Sequence, residues 1–300
     1  MDFQTAVACG VLFLYGKGNL EEKAAMFGVR YSTFHRMAHM VIDELISRSS
    51  EVIYIPRLED QVFLKCARTK LPFTGALFAI DGTLCKCAVK GKSNECYTRK
   101  GQAQLNVQVM CNWNLDLVYV DSNYSGKTHD NDMLLNSPLY PALQNDLVLL
   151  PGGFIVGDEG YACDGHVMRP YGRRTQVPER QLFNVFYRST RRIIENAIGA
   201  WKKKVPLLNI GLHETNLERL AEAIHASAVL YQFCKRTEEA LLKNRLNEPP
   251  PSYLDQEFVI PASYHGKGMR ELRDHIAASL AQDFPDCLAV IRSGILPSNA

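Results

Sequence analysis

Two aspartates each end a short apolar run of the kind that forms a buried β-strand. Asp81 closes the run 77–81, and Asp158 closes the run 153–158. Carboxylates at the ends of neighbouring strands are held on a rigid sheet edge, where they can converge. The simpler alternative for either residue is a turn position or a helix cap, both of which are common roles for an acid that follows a strand.

A third acid, Glu195, lies on a long helix predicted over residues 182–205. The apolar residues of this segment recur with helical spacing, and Glu195 falls beside that stripe rather than within it. It can therefore face the sheet edge while the stripe packs on the sheet. Three basic residues share its side of the helix, at i−7, i−4 and i+7: Arg188, Arg191 and Lys202.

Several carboxylates in one place repel each other unless cations lie between them. Oxygen ligands suit Mg²⁺ or Mn²⁺, and two such ions about 4 Å apart can activate a water and stabilise the leaving oxygen of an in-line displacement at phosphorus. Asp81, Asp158 and Glu195 therefore predict a two-metal centre for phosphodiester chemistry, with these three residues as the catalytic acids.

The net charge of +2 does not by itself indicate a nucleic-acid-binding protein. Basic residues are nevertheless concentrated in the segment 169–204, where ten basic residues accompany only two acidic ones. A local stripe of this kind can bind phosphates even when the total charge is near zero. The alternative is a helix face that is simply solvated.

The first 50 residues are predicted to be helical. Asn19 and Glu22 have the spacing of a capping box, Gly28 ends the helix that follows, and Ser32 is expected to cap a second helix. The outward groups of the second helix would be Thr33, His35, Arg36 and His39. Such a pair of helices predicts a helix-turn-helix, with groups suited to DNA edges and phosphates on its second helix. A helical hairpin that packs on a neighbouring element is the alternative.

The order of the remaining elements indicates a fold class. Strands are predicted over 77–81, 104–113, 115–120 and 153–158, with a helix over 131–143 before the fourth strand and the basic helix after it. This order, with acids after the first and fourth strands and on the last helix, is typical of ribonuclease H-like nucleases. We therefore expect an α/β fold, a ribonuclease H-like mixed sheet flanked by helices, with a small all-α helix-turn-helix region before it.

These signals divide the chain into a helical region 1–50, a linker 51–76, a nuclease domain 77–240 and a tail 241–300. A further helix is expected from Glu214 to Lys235, and three consecutive prolines at 249–251 predict a hinge. The tail is predicted to carry one helix near residues 269–281.

The nine cysteines are scattered and odd in number, so we expect reduced thiols and an intracellular protein. Cys85, Cys87 and Cys96 could suggest zinc, but their spacing is poor for a zinc site and no fourth ligand stands at a matching position. The sequence has no run of the roughly 18 apolar residues that a membrane span needs. We therefore expect no membrane span. Asp2 stands where a secretion signal carries positive charge, so we also expect that the protein is not secreted.

Five short blocks resemble, in order, those of PIF/Harbinger transposases and their domesticated nuclease relatives. The blocks are Ile-Asp-Gly-Thr at 80–83, residues 97–101 with Asn-Val-Gln-Val at 106–109, Gly-Lys-Thr-His-Asp at 126–130, Gly-Asp-Glu-Gly-Tyr at 157–161, and a final set of Phe183, Asn184, Ser189, Arg191, Ile194, Glu195 and Gly199. The resemblance covers about residues 10–240, and five blocks in order are far more specific than any one of them.

The resemblance implies a metal-dependent DDE nuclease fold and, in mobile members, cut-and-paste DNA transposition. It implies metal-ligand roles for Asp81, Asp130, Asp158 and Glu195. Asp130 also opens a predicted helix, so N-capping is a full alternative explanation of that residue. DNA is the implied substrate, and a Myb-like partner protein is implied for DNA binding and nuclear import.

The resulting hypothesis is a Harbinger-type DNA endonuclease and transposase that uses two Mg²⁺ or Mn²⁺ ions and acts as a homo-oligomer. Contacts to DNA are assigned to His35, Arg36, Arg188, Arg191 and Lys202. Its expected compartment is the nucleus, with the cytoplasm as a second location. Two alternatives remain open: a domesticated nuclease that no longer transposes, and a DNA-binding or interaction protein whose catalytic site is dead.

Overall fold

The structure, a computed structural model, describes residues 2–61, 73–87, 103–211, 214, 216–246 and 262–293. Three of the sequence features lie outside these residues: Cys96, the block 97–101 and the predicted hinge at 249–251. The strands are β1 (Ala76–Lys86), β2 (Gln104–Cys111), β3 (Leu117–Ser125), β4 (Phe154–Val156) and β5 (Val167–Met168). The helices are α1 (Phe3–Tyr15), α2 (Leu20–Met26), α3 (Tyr31–Ser47), α4 (Ser49–Val52), α5 (Leu58–Gln61), α6 (Asp130–Leu135), α7 (Leu139–Gln144), α8 (Pro178–Lys204), α9 (Leu207–Ile210), α10 (Leu217–Leu246), α11 (Met269–Asp283) and α12 (Pro285–Arg292), with a 3₁₀ turn at Ala262–Tyr264.

The five strands form one mixed sheet in the order β3-β2-β1-β4-β5. The pairs β1–β2 and β2–β3 are antiparallel, whereas β1–β4 and β4–β5 are parallel. This arrangement confirms the predicted ribonuclease H-like mixed sheet flanked by helices. The two-residue strand β5 was not predicted, because a strand this short leaves no alternating pattern in the sequence.

Strand β1 is longer than the apolar run predicts, and Asp81 lies within it rather than at its end. Residues 76–80 are fully buried, and the strand then continues through Lys86 in register with β2, pairing Asp81 with Val109. The prediction that Asp81 ends its strand is therefore wrong. Hydrogen bonding to β2 extends the strand beyond the apolar run, which marks only the part of β1 that is covered on both faces.

Helices cover both faces of the sheet. The face formed by alternate residues such as Ala79, Val107 and Val156 packs on α8, which buries residues including Ile194 and Trp201. The opposite face, which includes Ile80 and Met110, is covered by apolar residues of α6 and α7. Two separate hydrophobic clusters therefore hold the sheet in place, one on each face.

Several predicted helix boundaries change in the structure. The single helix predicted over 131–143 is two helices, because Pro138 cannot continue α6 and disfavours helical backbone at the residue before it. Helix α8 begins at Pro178, four residues before the predicted start, with the proline at a helix position where its missing N–H costs nothing. In the tail, α11 matches its prediction, and a second helix, α12, follows it; both pack on α8.

The N-terminal helices α1, α2 and α3 pack on one another, and α3 also packs on α10. The capping box of Asn19 and Glu22 is present, and Gly28 has the positive φ of 63° that ends this helical segment. The predicted cap at Ser32 is wrong: the extended residue that starts α3 is Arg30, so Ser32 lies inside the helix. Within the described residues, the helices include none that is both long and apolar enough to span a membrane.

Candidate active site

Three aspartates from separate parts of the chain converge at one side of the sheet. Asp81, Asp130 and Asp158 each place a carboxylate oxygen within 4.8 Å of the others, and all three side chains are partly buried. Asp81 comes from the middle of β1, Asp158 follows β4 by two residues, and Asp130 is the first residue of α6. The sequence identified all three residues, and the structure brings them together.

The parallel pairing of β1 with β4 aligns two of these aspartates. Ala79 is paired with Val156, and Asp81 and Asp158 each lie two residues further along their chains. Because alternate residues of a strand share a face, the side chain of Asp81 projects on the same side of the sheet as Ala79, and Asp158 lies just beyond the end of the neighbouring strand. The backbone N–H of the residue after Asp81 donates to its Oδ1 at 2.9 Å, and the N–H of Gly160 donates to the Oδ1 of Asp158 at 2.7 Å. Both side chains are therefore fixed by local backbone donors.

Asp130 reaches the other two aspartates through the loop that follows β3. Two buried side chains of β2 hold this loop: Asn106 donates to the carbonyl of Thr128 at 3.0 Å, and Gln108 donates to the carbonyl of Asp130 at 3.3 Å. The N-cap position of α6 is occupied by His129, so the alternative role of Asp130 as an N-cap is not supported. Asn106 and Gln108 belong to the block 106–109, but their role is not visible in the sequence, since nothing local to β2 shows what they bind.

Two glycines leave the space in which the carboxylates meet. A Cβ atom at Gly82 would lie less than 3.0 Å from the Oδ1 of Asp130, and a Cβ at Gly160 would lie 2.9 Å from both Asp130 and Asp158. Contacts this short do not occur for real Cβ atoms. Glycine at these two positions is therefore required for the close approach of Asp130 to the sheet.

The electrostatics of the cluster favour cation binding. Burial raises the pKa of Asp81 to about 7, with the charges of Asp158 and Asp130 adding to the rise and the guanidinium of Arg191 opposing it. Burial and the charge of Asp158 also raise the pKa of Asp130. Carboxylate oxygens are the ligands that Mg²⁺ and Mn²⁺ prefer, and a bound cation would relieve the repulsion between them. The residues present therefore fit a divalent metal.

Glu195 does not belong to the close cluster. Its side chain is 51% exposed, and it forms an ion pair with Arg191, four residues earlier on α8. Arg191 also donates to the Oδ2 of Asp81 at 2.8 Å, so its guanidinium lies between Glu195 and the aspartates. Glu195 thus faces the sheet edge as expected, but it connects to the site through Arg191, and its role as a metal ligand stays a prediction.

Tyr187 fixes α8 against the strand that carries Asp158. Its hydroxyl is buried, accepts the backbone N–H of Gly157 at 3.1 Å and also contacts the carbonyl oxygens of Gly157 and Met168. One side chain therefore joins α8 to the ends of β4 and β5. This role has no signal in the sequence, since a tyrosine on the apolar side of a helix is equally consistent with simple packing.

Several residues of the basic segment 169–204 form hydrogen bonds or ion pairs with other parts of the protein. Lys202 donates to the carbonyl of Leu84 at 2.7 Å, Arg169 donates to the carbonyls of Glu159 and Tyr161, and Arg173 pairs with the side chain of Glu159. Arg188 lies on the exposed side of α8. The DNA contacts assigned to Arg188, Arg191 and Lys202 stay predictions, although Arg191 and Lys202 hold the helix to β1 in the structure.

The second N-terminal helix is oriented differently from the prediction. Arg36 is exposed, as expected, but His35 and His39 are not outward groups. Their side chains are 31% and 12% exposed, and both contact the carboxylate of Glu214, just before α10. The prediction that these two histidines face outwards is therefore wrong, because α3 packs on α10 along this side. The DNA contact of His35 stays a prediction without support from its position.

Comparison with known proteins agrees with this geometry. The model of a protein family described as DDE superfamily endonuclease matches residues 80–232, about half of the chain, and this stretch contains all three clustered aspartates and Glu195. No curated protein and no solved structure matches the chain.

Gly82→Ala should weaken metal binding although it replaces no metal ligand. The added Cβ would displace the carboxylate of Asp130, and we expect the affinity for Mn²⁺ to fall by about 10- to 100-fold, as for other changes around metal ligands. Isothermal titration with Mn²⁺ measures this effect. Gly199→Ala on α8 is the matched control, because a Cβ there meets nothing within 4 Å and should leave the affinity unchanged. Equal affinities of the two variants would contradict the close approach of Asp130.

Metal affinity should depend on pH near neutrality. The pKa of Asp81 is about 7, so below that pH a cation must displace a proton from Asp81, and the affinity should fall about tenfold per unit of pH. Mn²⁺ titrations at pH 6 in two buffers with different ionisation enthalpies should reveal the release of about one proton, with almost none released at pH 9. An affinity that is the same at pH 6 and pH 8 would refute the proton competition.

Proposed function

The chain belongs to the DDE superfamily of endonucleases, and we propose that it is a Harbinger-type DNA endonuclease and transposase dependent on divalent metal. The observation that carries this proposal is the convergence of Asp81, Asp130 and Asp158 on a ribonuclease H-like sheet. In the proposed reaction the enzyme hydrolyses a phosphodiester bond at the end of an element. The released 3′ hydroxyl then attacks a phosphodiester of the target DNA, which joins the element end to the target 5′ phosphate and releases a target 3′ hydroxyl.

The three aspartates would hold a pair of Mg²⁺ or Mn²⁺ ions. When bound, such ions activate a water and neutralise the negative charge that develops around phosphorus. The protein contributes the position of the ligands: β1 and β4 fix Asp81 and Asp158, and the donors of β2 fix the loop before Asp130. Asp81 gives up its proton on binding, since its pKa lies close to neutral pH.

Glu195 is proposed as the fourth acidic ligand, at the position implied by the resemblance to Harbinger transposases. Arg191 neutralises both Asp81 and Glu195 in the metal-free chain. Metal binding would replace that positive charge, and the guanidinium would be available for a phosphate of the DNA. This exchange explains how one residue can both stabilise the metal-free site and contact the substrate.

DNA binding is proposed to involve two surfaces. One consists of Arg188 on the exposed side of α8 together with the half-buried Lys202 near the end of that helix; the other is the exposed side of α3, which carries Arg36. The resemblance supports a Myb-like partner protein, and a DNA substrate supports a nuclear location. Action as a homo-oligomer is part of the same proposal. A nuclease that no longer transposes has the same site, so terminal inverted repeats beside the coding locus would distinguish the two. The three intact aspartates disfavour a catalytically dead binding protein.

Asp130→Asn should abolish cleavage and leave the fold intact. The substitution keeps the size of the side chain but removes the charge that metal binding requires, so nicking of supercoiled DNA in Mg²⁺ should fall at least about 100-fold. Asp132→Asn is the matched control, because Asp132 is exposed on the same helix.

Glu195→Gln should reduce nicking as strongly as Asp130→Asn, while the melting temperatures of all three variants stay near that of the wild type.

Near-normal nicking by Asp130→Asn would remove this residue from the site. Near-normal nicking by Glu195→Gln alone would leave a centre of three aspartates. If the wild type fails to nick DNA with Mg²⁺ or Mn²⁺, the proposed activity is wrong.

Arg36→Ala should weaken DNA binding without removing cleavage. Loss of one phosphate contact should lower the affinity and reduce the slope of log affinity against log salt by about one. Fluorescence anisotropy with duplex DNA over a range of salt concentrations measures both quantities. Arg57→Ala removes the same charge from another surface, where the side chain is 82% exposed, and should have a smaller effect. If Arg36→Ala changes neither affinity nor slope, α3 is not a DNA-binding helix.

A further inference from the structure

Two histidines and a glutamate form a second cluster of possible metal ligands, distinct from the three aspartates. His35 and His39 lie four residues apart on α3, and Glu214 lies between α9 and α10. The Nε2 atom of His39 is 3.0 Å from the Oε2 of Glu214, and the Nε2 of His35 is 3.4 Å from the same oxygen. The two Nε2 atoms are 3.3 Å apart.

These three separations are those expected for ligands around one zinc ion. In a tetrahedral site with zinc–ligand distances of about 2.0–2.1 Å, neighbouring ligand atoms lie about 3.3 Å apart. The three interatomic distances range only from 3.0 to 3.4 Å. A hydrogen-bonded arrangement explains each histidine's contact with Glu214, but it does not require the two ring nitrogens to approach each other equally closely.

The surroundings hold these ligands in place. The ring of Phe13 on α1 packs against both imidazoles, with its centroid 6.0 Å from that of His35 and 5.8 Å from that of His39. The Nδ1 of His39 is buried and has no hydrogen-bond partner among the described residues, so the contacts of Nε2 and the packing orient this ring. Glu214 is only 6% exposed, and a buried carboxylate requires a positive charge or hydrogen bonds close by.

The ligand types distinguish this cluster from the carboxylate site. Imidazole nitrogens suit zinc and neighbouring transition metals, whereas sites built from oxygen alone suit Mg²⁺ and Mn²⁺. Two histidines at i and i+4 project from the same face of a helix, which gives a rigid pair of nitrogen ligands. Among the described residues, no cysteine belongs to a group of three or more possible metal ligands.

We propose that His35, His39 and Glu214 bind one Zn²⁺, with water as the fourth ligand on the more exposed side, at His35. The ion would join α3 to the chain segment that enters α10, and α10 packs on β3 of the nuclease sheet. The zinc is therefore a structural clamp between the N-terminal helices and the catalytic domain. The proposal does not depend on DNA cleavage, because its ligands lie outside the aspartate cluster.

The test uses the full chain, stripped of metal with a chelator and kept in millimolar Mg²⁺ so that the aspartate cluster is saturated. Zn²⁺ is titrated in competition with a chromogenic chelator, and Co²⁺ is used as a spectroscopic substitute, since a four-coordinate nitrogen and oxygen site absorbs visible light far more strongly than an octahedral oxygen site. The variants are His35→Gln and His39→Gln. His166→Gln is the matched control, because His166 also contacts one carboxylate, that of Asp146, at 2.9 Å.

We expect the wild type and His166→Gln to bind one Zn²⁺ each and to give the intense Co²⁺ spectrum. Both cluster variants should lose that spectrum and bind Zn²⁺ at least about 100-fold more weakly. At a hundredfold excess of free Zn²⁺ over its Kd, the melting temperature should rise on the order of 5 °C in the wild type and not in the variants.

The proposal is overturned if the stripped wild type binds no Zn²⁺ more tightly than the chelator does, or if the cluster variants bind it as the wild type does. Circular dichroism shows whether each variant folds without metal. If His39→Gln does not fold, His35→Gln decides the question, since its more exposed ring contributes less to packing. Loss of zinc binding with normal nicking of DNA separates this proposal from the proposed nuclease activity.

Discussion

Repulsion among three carboxylates within 4.8 Å of one another is the constraint on which the rest of this structure depends. Pairing of β1 with β4 holds the backbone of Asp81 near that of Asp158, and buried donors of β2 hold the backbone around Asp130. Gly82 and Gly160 permit the approach by having no side chain. Burial raises the pKa of Asp81 to about 7, and the charges of Asp158 and Asp130 add to this rise. Relief of that repulsion by a bound cation is therefore available to drive metal binding.

Helix α8 is the element that connects this charge cluster to the rest of the fold. Its apolar side packs on the sheet, and the hydroxyl of Tyr187 fixes it to the backbone that leads to Asp158. On the next turn, Arg191 neutralises Asp81 and holds Glu195 beside the site. The tail helices α11 and α12 pack on the same helix. A single rigid helix thus couples the burial of the core to the position of the charges, so movements of α8 would alter both.

The N-terminal helices show how a neighbouring element decides what a helix face does. The sequence predicts an outward position on α3 equally for His35, Arg36 and His39. Packing of α3 on α10 turns the two histidines towards Glu214 and leaves Arg36 in solvent. The exposed side of α3 also carries the acids Asp43 and Glu44 in its second half, whereas Arg36 and the N-cap residue Arg30 are exposed in its first half. The packed hairpin that the sequence left open therefore describes the side of α3 that carries the two histidines, and DNA binding by its exposed side stays a prediction.

The sequence by itself determined the features that depend on local pattern: the buried strands around Asp81 and Asp158, the long amphipathic helix with Glu195, and the capping box of α2. Short blocks in a fixed order identified Asp130 as well. Only the tertiary structure decided that Asp81 lies within its strand, that Arg191 separates Glu195 from the aspartates, and that His35 and His39 meet Glu214. Each of these outcomes arises from hydrogen bonds or packing between segments far apart in the chain, and the periodicity of one segment carries no information about the partner it will contact.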